Sequence, residues 1–281
     1  MRTKVYLVFT ALAILSFTSC TKNNPADQAG INLADDDAVS EAVFEDIFNS
    51  VDNAELVLDD YLKGVDVKSA AVSDTCPRVI INRPYDGLWP KTITMDFGDG
   101  CTGLHGNTRA GKIITVISGP RREAGTKKTV TFENYFFNGT RVEGIKEIEN
   151  LGKNESGNVL FSVKLMNGKL AFPDGKVIER SFEHQREWLA GFLTRTIWDD
   201  ECLITGTAQG VNIKGLAYTR TIMTALHWKK VCRFMVSGVV KIEREGLDPV
   251  EINYGNGECD ALATVTTGGE TREITLKFKR R

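Results

Sequence analysis

The sequence predicts a mainly β protein, an antiparallel meander of roughly a dozen strands with one amphipathic helix near the N-terminus. After Cys76, short segments such as 129–136 and 271–278 alternate polar and apolar residues, as half-buried strands do. Gly-containing pairs separate these segments and are typical of tight hairpins. A dozen strands do not stay flat, so we expect a curved sheet, a sandwich or an open barrel.

The helix is predicted over residues 37–64, where apolar residues recur at spacings of three and four and Gly64 ends the pattern. Asp35–Asp37 precedes it and suits a solvated helix N-terminus, where carboxylates meet the positive end of the helix dipole. Calcium binding is the alternative interpretation of this triplet.

Four residue pairs are predicted to form hairpin turns, and one segment fits two structures. The turn pairs are Asn138-Gly139, Asn167-Gly168, Asp174-Gly175 and Gly268-Gly269. Residues 183–189 fit either a short helical turn or a strand.

The first residues have the order of an export signal. Arg2 and Lys4 precede an apolar run that is shorter than the ~20 residues a spanning helix needs. Residues 17–20 (F-T-S-C) resemble the lipobox of bacterial lipoproteins. We therefore expect a signal peptide over residues 1–19, a lipid on Cys20 that holds the protein to a membrane, and a flexible tether over residues 20–36.

Composition argues against nucleic-acid binding. Loss of Arg2 and Lys4 with the leader changes the formal net charge from −2 to about −4. No motif calls for a cofactor. At 42% hydrophobic residues, the chain can bury a substantial core. We expect a β domain over residues 76–281.

An internal duplication predicts the disulfides. Residues 76–118 and 232–267 each begin with a cysteine, and a second cysteine follows a Gly-rich turn, 25 residues later in one copy and 27 in the other. We expect bonds Cys76–Cys101 and Cys232–Cys259, in an oxidising compartment. Cys202 is then a free thiol, either reactive or a buried apolar side chain.

Several motifs invite a mechanism, and each has a structural alternative. Residues 106–112 have the spacing of a phosphate-binding loop, but Ile113 replaces the magnesium-binding hydroxyl and a strand pattern follows where a helix is required. Asp96, Asp99 and their counterparts Asn253, Asn256 and Asp260 fit either a calcium site or the turns they surround. We assign no metal site.

Catalytic residues are not predicted. The three histidines are isolated, and His184, beside Glu183 and Glu187, is the best candidate for a general base, with a structural histidine as the alternative. The four tryptophans fit either the core or a stacking surface for sugars or acyl chains; they are Trp89, Trp188, Trp198 and Trp228.

Segments 96–101 (D-F-G-D-G-C), 106–113, 203–208 and 232–238 in combination resemble a family of uncharacterised envelope lipoproteins of Gram-negative bacteria. The resemblance spans residues 37–281. Since no activity is assigned to that family, it implies envelope location and paired cysteine blocks, and no functional residues.

Three functions remain open. The first is a non-catalytic binding or structural lipoprotein that meets an envelope protein or a glycan. The second is a carrier of a lipid or another apolar ligand, which requires a cavity beneath the helix. The third is an envelope glycan hydrolase, which requires two carboxylates about 5 to 10 Å apart. Lys22 favours outer-membrane anchoring, facing either the periplasm or the cell surface.

Overall fold

The computed structural model describes residues 25–63, 76–82, 88–103 and 106–276. The predicted signal peptide and Cys20 lie outside the described residues. Among the described residues are one long helix, α1 (Pro25–Leu62), a one-turn 3₁₀ helix (Lys230–Cys232) and fourteen strands. The strands are β1 (Arg78–Ile81), β2 (Lys91–Asp96), β3 (Cys101–Thr102), β4 (Thr108–Ile117), β5 (Lys127–Phe137), β6 (Thr140–Lys153), β7 (Val159–Ala171), β8 (Val177–Ala190), β9 (Glu201–Val211), β10 (Ala217–Lys229), β11 (Met235–Glu243), β12 (Val250–Asn256), β13 (Leu262–Thr267) and β14 (Glu270–Thr275).

The strands form one open antiparallel sheet in sequence order from β1 to β14, with the short β3 paired to β4. This confirms the predicted antiparallel meander. Residues 183–189, for which a helical turn was the alternative, lie inside β8. Most connections between consecutive strands have two to six residues, and short connections favour pairing between consecutive strands.

Helix α1 packs against the sheet and reaches both of its edges. Thirteen strands at about 4.8 Å spacing span about 60 Å, and a helix of 38 residues is about 57 Å long. Accordingly, α1 lies close to β2 near one edge of the sheet and to β12 and β13 near the other. Apolar residues of α1 and of the inner strand faces form one buried core.

The predicted tether is wrong for its C-terminal part, because α1 begins at Pro25 and not at residue 37. Leu33 is 2% exposed and Ala34 is fully buried. Gly30 approaches Thr267 so closely that a β carbon would lie 2.7 Å from its methyl group. Packing against the sheet therefore extends the helix through a segment that looks polar in the sequence. None of the described helices is long and apolar enough to cross a membrane.

Three of the four predicted turns connect neighbouring strands, and the fourth prediction is wrong. Asn167-Gly168 lies inside β7, where the pairing register with β8 shifts between Leu165 and Gly168. Asn167 has φ +52°. A β carbon on Gly144, in the neighbouring strand, would lie 2.9 Å from the α carbon of Gly168. The Asn-Gly pair thus forms a bulge at a close approach of two strands.

Both predicted disulfides are present. Cys76 is bonded to Cys101, with α carbons 6.0 Å apart, and Cys232 to Cys259, with α carbons 5.0 Å apart. Among the cysteines that the structure describes, Cys202 is free, and it is buried. One disulfide lies near each end of the sheet, since Cys101 begins β3 and Cys259 lies between β12 and β13.

Candidate functional site

The inner face of the sheet carries cations that pair with carboxylates of α1. Asp37 accepts hydrogen bonds from Arg180 (2.7 Å) and Arg220 (3.0 Å). Glu41 contacts the same two guanidinium groups, at 2.5 Å and 3.5 Å. Asp37 is 2% exposed, so the prediction of a solvated cap at Asp35–Asp37 is wrong for this residue. It lies within the helix and anchors it to β8 and β10.

The remaining ion pairs follow α1 along its length. Among pairs whose side chains are at most 16% exposed, six carboxylates of α1 pair with six cations of the sheet and its loops. The other pairs are Glu45 with Arg186 (2.5 Å), Asp46 with Arg109 (2.7 Å), Asp52 with Arg121 (2.9 Å) and Glu55 with Lys128 (2.5 Å). Each of these carboxylates is paired with a cation, so the ion pairs hold the helix against the sheet. None of the paired groups is left as an unpaired nucleophile or base.

The surroundings of these groups shift their pKa values. Burial opposes ionisation of Glu41, but Arg220 and Arg180 outweigh it and lower its pKa to about 2. Burial lowers the pKa of Lys146 to about 7, although Glu45 lies nearby. The Lys146 ammonium donates to the Phe44 carbonyl (3.1 Å) and lies 4.8 Å from the Phe48 ring centroid. It too is part of the helix–sheet contact.

His184 and Cys202 do not form a catalytic site. The His184 ring stacks on Phe182 with centroids 4.3 Å apart, and burial lowers its pKa to about 3, so the ring is neutral at physiological pH. Cys202 is fully buried, and burial raises the pKa of its thiol well above its ordinary value. Of the two interpretations of each residue, the structure favours the structural one.

The loop-like segment 106–112 runs into β4 and not into a helix. Without a helix N-terminus it lacks the amide cradle of a phosphate-binding loop. Lys112 pairs instead with Glu133 at 3.1 Å on an exposed surface. Together with Asp96 and Asp99, the segment lines a cleft of about 680 Å³. This cleft is smaller than the one across β7 to β11 that is described below.

The Asx residues of the Gly-rich turns cap their own backbone. Asp96 accepts from the amide of Gly98, Asn253 from Gly255 and Asp260 from Leu262, each at 2.9 Å. This is the turn chemistry that competed with calcium in the sequence. The described residues contain no group of three or more His, Cys, Asp or Glu side chains arranged to hold a metal ion.

Two of the four tryptophans belong to the core. Trp188 packs between Phe161 and Phe48, with ring centroids 5.4 and 5.9 Å away, and Trp228 is 1% exposed. Trp198 is half exposed, and the Lys230 ammonium lies 5.4 Å from its ring centroid. A stacking surface built from Trp188 and Trp228 is therefore excluded.

A cleft of about 880 Å³ crosses β7 to β11, and its lining includes none of the described side chains of α1. Its volume falls within the usual range of ligand sites. Strand alternation presents polar side chains along it. The residues that give it hydrogen-bonding capacity are Lys169, Glu179, Ser181, Gln209, Tyr218, Thr219, Glu243, Arg244 and Glu245.

Arg244 differs from the arginines that face α1. Arg244 is 8% exposed, and its Nε atom is buried without a hydrogen-bond partner, as are the Nε atoms of Arg180 and Arg186. The difference lies in its ion pairing. Arg244 forms no ion pair with any residue in the described part of the chain, and burial alone lowers its pKa from the ordinary value. A buried cation without a partner is costly and marks a position where a ligand can supply the missing anion.

The glutamates of this cleft are widely spaced. Glu179 lies on β8 and Glu243 on β11, so three inter-strand spacings of about 4.8 Å place their backbones about 14 Å apart. The carboxylates of Glu179, Glu243 and Glu245 can all accept hydrogen bonds from the hydroxyl groups of a ligand in the cleft.

Asp200 gives the fold a pH dependence that can be measured. Burial, together with the nearby Asp52, raises its pKa to about 7. Between about pH 4 and pH 7 the folded state therefore holds a proton that the unfolded state has released, and stability falls as the pH rises through this window. We expect Asp200→Asn to gain stability relative to the unsubstituted chain between pH 4.5 and pH 7.5. Urea unfolding at both pH values tests this, and an unchanged difference between the two proteins would contradict it.

Comparison of the chain with protein-family models, with curated proteins and with solved structures found no match. The resemblance to an envelope lipoprotein family stays a prediction, and the function has to be argued from the site itself.

Sequence reasoning missed both the ion pairs and Arg244. The carboxylates of α1 recur at spacings of three and four, as in Asp37, Glu41 and Glu45, and this pattern shows that they share a face. It does not show that the face is covered. For Arg244 the sequence carries no signal, because its isolation from carboxylates is a property of the packed strands.

Proposed function

We propose that the protein is a non-catalytic binding module of the bacterial envelope, held to a membrane by a lipid on Cys20. The cleft across β7 to β11 carries this proposal. It combines a volume suited to a ligand with polar groups from five neighbouring strands and a buried cation, Arg244, that pairs with none of the described carboxylates. A rigid sheet positions such groups better than mobile loops do.

Catalysis is disfavoured by the chemistry of the described groups. The free thiol and the best candidate base are both buried. The charged groups between α1 and the sheet are neutralised by one another. What remains accessible in the cleft can bind and orient a ligand, and it lacks a nucleophile activated by a neighbouring base.

Carriage of an apolar ligand beneath the helix is disfavoured by packing. The space between α1 and β10 to β12 beside Ala38 and Ala42 amounts to about 20 Å³. On this measure a single water molecule needs about 10 to 15 Å³, so this space does not hold an acyl chain. The apolar side chains of α1 take the place that such a ligand would need.

Two disulfides support the envelope location, since such bonds persist in oxidising compartments. We place the anchor in the outer membrane, on the evidence of Lys22. Metabolic labelling with a palmitate analogue tests it: the full chain should carry the label and sediment with membranes. Cys20→Ser should lose the label and remain soluble, and labelling of that variant would contradict the proposal. Protease treatment of intact cells distinguishes surface from periplasmic display.

Binding without turnover is tested with polysaccharide isolated from a Gram-negative envelope. The full chain in detergent should co-sediment with the insoluble polymer. After prolonged incubation, mass spectrometry of soluble oligosaccharides should show unchanged chain lengths. Shortened products would make the protein an enzyme, and absence of co-sedimentation would overturn binding to this class of ligand.

A further inference from the structure

Arg244 differs from the buried arginines that contact α1, because none of the described carboxylates forms an ion pair with it. Six cations at the helix–sheet contact each have a carboxylate within 3.0 Å, including Arg180 with Asp37 and Lys128 with Glu55. Arg244 follows the last residue of β11 and lines the cleft with no such partner. Its neighbour Glu243 pairs with Lys241 at 2.7 Å instead. The fold therefore holds an arginine, largely shielded from water, at the wall of an open cleft.

We infer that the cleft binds an acidic glycan, with Arg244 donating hydrogen bonds to a carboxylate or phosphate group on one of its sugars. This inference rests on the proposed binding function and names its ligand class. The planar guanidinium presents paired donors that match either anion. A bound anion would take the place of the carboxylate partner that Arg244 lacks among the described residues.

The rest of the lining selects a glycan over an acidic peptide. Three exposed glutamates, Glu179, Glu243 and Glu245, line the same cleft and repel a ligand with many negative charges. Their oxygens accept hydrogen bonds from hydroxyl groups, and the Ser181 and Gln209 side chains both donate and accept. A ligand with many hydroxyl groups and a single acid group at one position satisfies all of them.

The geometry also indicates an extended ligand. The lining residues run from Lys169 on β7 to Glu243 on β11. Four inter-strand spacings of about 4.8 Å give a length of about 19 Å. A chain of several sugars spans this distance across the strands, whereas a single sugar contacts only part of it.

Calorimetric titration of the full chain in detergent tests the inference. The probes are three galactose tetramers: a neutral one, one with a single residue oxidised to galacturonate, and one with a single phosphate ester. Since a hydrogen bond to a charged group is strong, we expect an acidic probe to bind about tenfold or more tightly than the neutral one. The better acidic probe identifies carboxylate or phosphate as the preferred anion. Raising the salt concentration should weaken that binding and leave the neutral probe unaffected.

Arg244→Gln should remove the preference for acidic probes, so that acidic and neutral probes bind alike. Arg244→Lys keeps the positive charge and should therefore keep part of this preference. Arg272→Gln, at an exposed arginine of β14 paired with Glu270, is the matched control and should keep it. Far-UV circular dichroism checks the fold of each variant. Equal binding of all probes by the unsubstituted chain, or an unchanged preference in Arg244→Gln, overturns the inference and leaves the binding function standing. Absence of binding to every probe counts against both.

Discussion

Replacing Asp37 with alanine is expected to lower the free energy of unfolding by about 3 to 5 kcal/mol, the usual effect of breaking a buried ion pair. Asp37 accepts from Arg180 at 2.7 Å and from Arg220 at 3.0 Å, and the side chains of both arginines are at most 1% exposed. Without Asp37, two buried guanidinium groups share Glu41 alone. Equilibrium urea unfolding followed by tryptophan fluorescence measures the loss, since Trp228 is buried in the same core.

Asp60→Ala is the matched control for this effect. Asp60 lies on the same helix and pairs with Arg195 at 2.9 Å, but the arginine side chain is 66% exposed. Exposed pairs contribute about 1 kcal/mol or less. If the two aspartate variants lose the same stability, burial of the pair is not what holds α1 in the sheet.

Loss of either disulfide should destabilise the protein by about 3.5 kcal/mol, from the loop-closure entropy that a cross-link removes from the unfolded chain. The bonded cysteines are 25 and 27 residues apart, so the two bonds are expected to have nearly equal effects. The serine double variants at Cys76 and Cys101 and at Cys232 and Cys259 test each bond by urea unfolding.

Cys202→Ala is the control for these double variants, because it removes a cysteine side chain without removing a disulfide. The Cys202 side chain is fully buried and unbonded, so its removal should cost about 1 kcal/mol, as ordinary substitutions do. A double variant that unfolds at the same urea concentration as the unsubstituted chain would show that the corresponding bond does not form in the protein.

Sequence periodicity predicted the strands because a half-buried strand alternates whatever it packs against. It could not place the start of α1, since Leu33 and Ala34 become helical through contact with strands that are distant in the sequence. The same limit explains Asn167-Gly168. An Asn-Gly pair favours positive φ both in a turn and in a bulge, and only the neighbouring Gly144 shows that two strands approach there.

The disulfides were predictable for a different reason. Two copies of one strand–turn–strand pattern place their cysteines at similar spacings, and a local bond within each copy needs no knowledge of the remaining fold. The state of Cys202 was not predictable, because its inertness follows from burial.

The sequence by itself determined the fold class, the antiparallel order of most strands and the cysteine pairing, because all three depend on patterns within neighbouring segments. Only the tertiary structure decided that Asp37 is a buried anchor rather than a solvated cap, and that Arg244 lines a cleft without a carboxylate partner. Whether a charged side chain is paired, solvated or left for a ligand depends on which distant strands surround it. That arrangement exists only once the sheet has formed and packed against the helix.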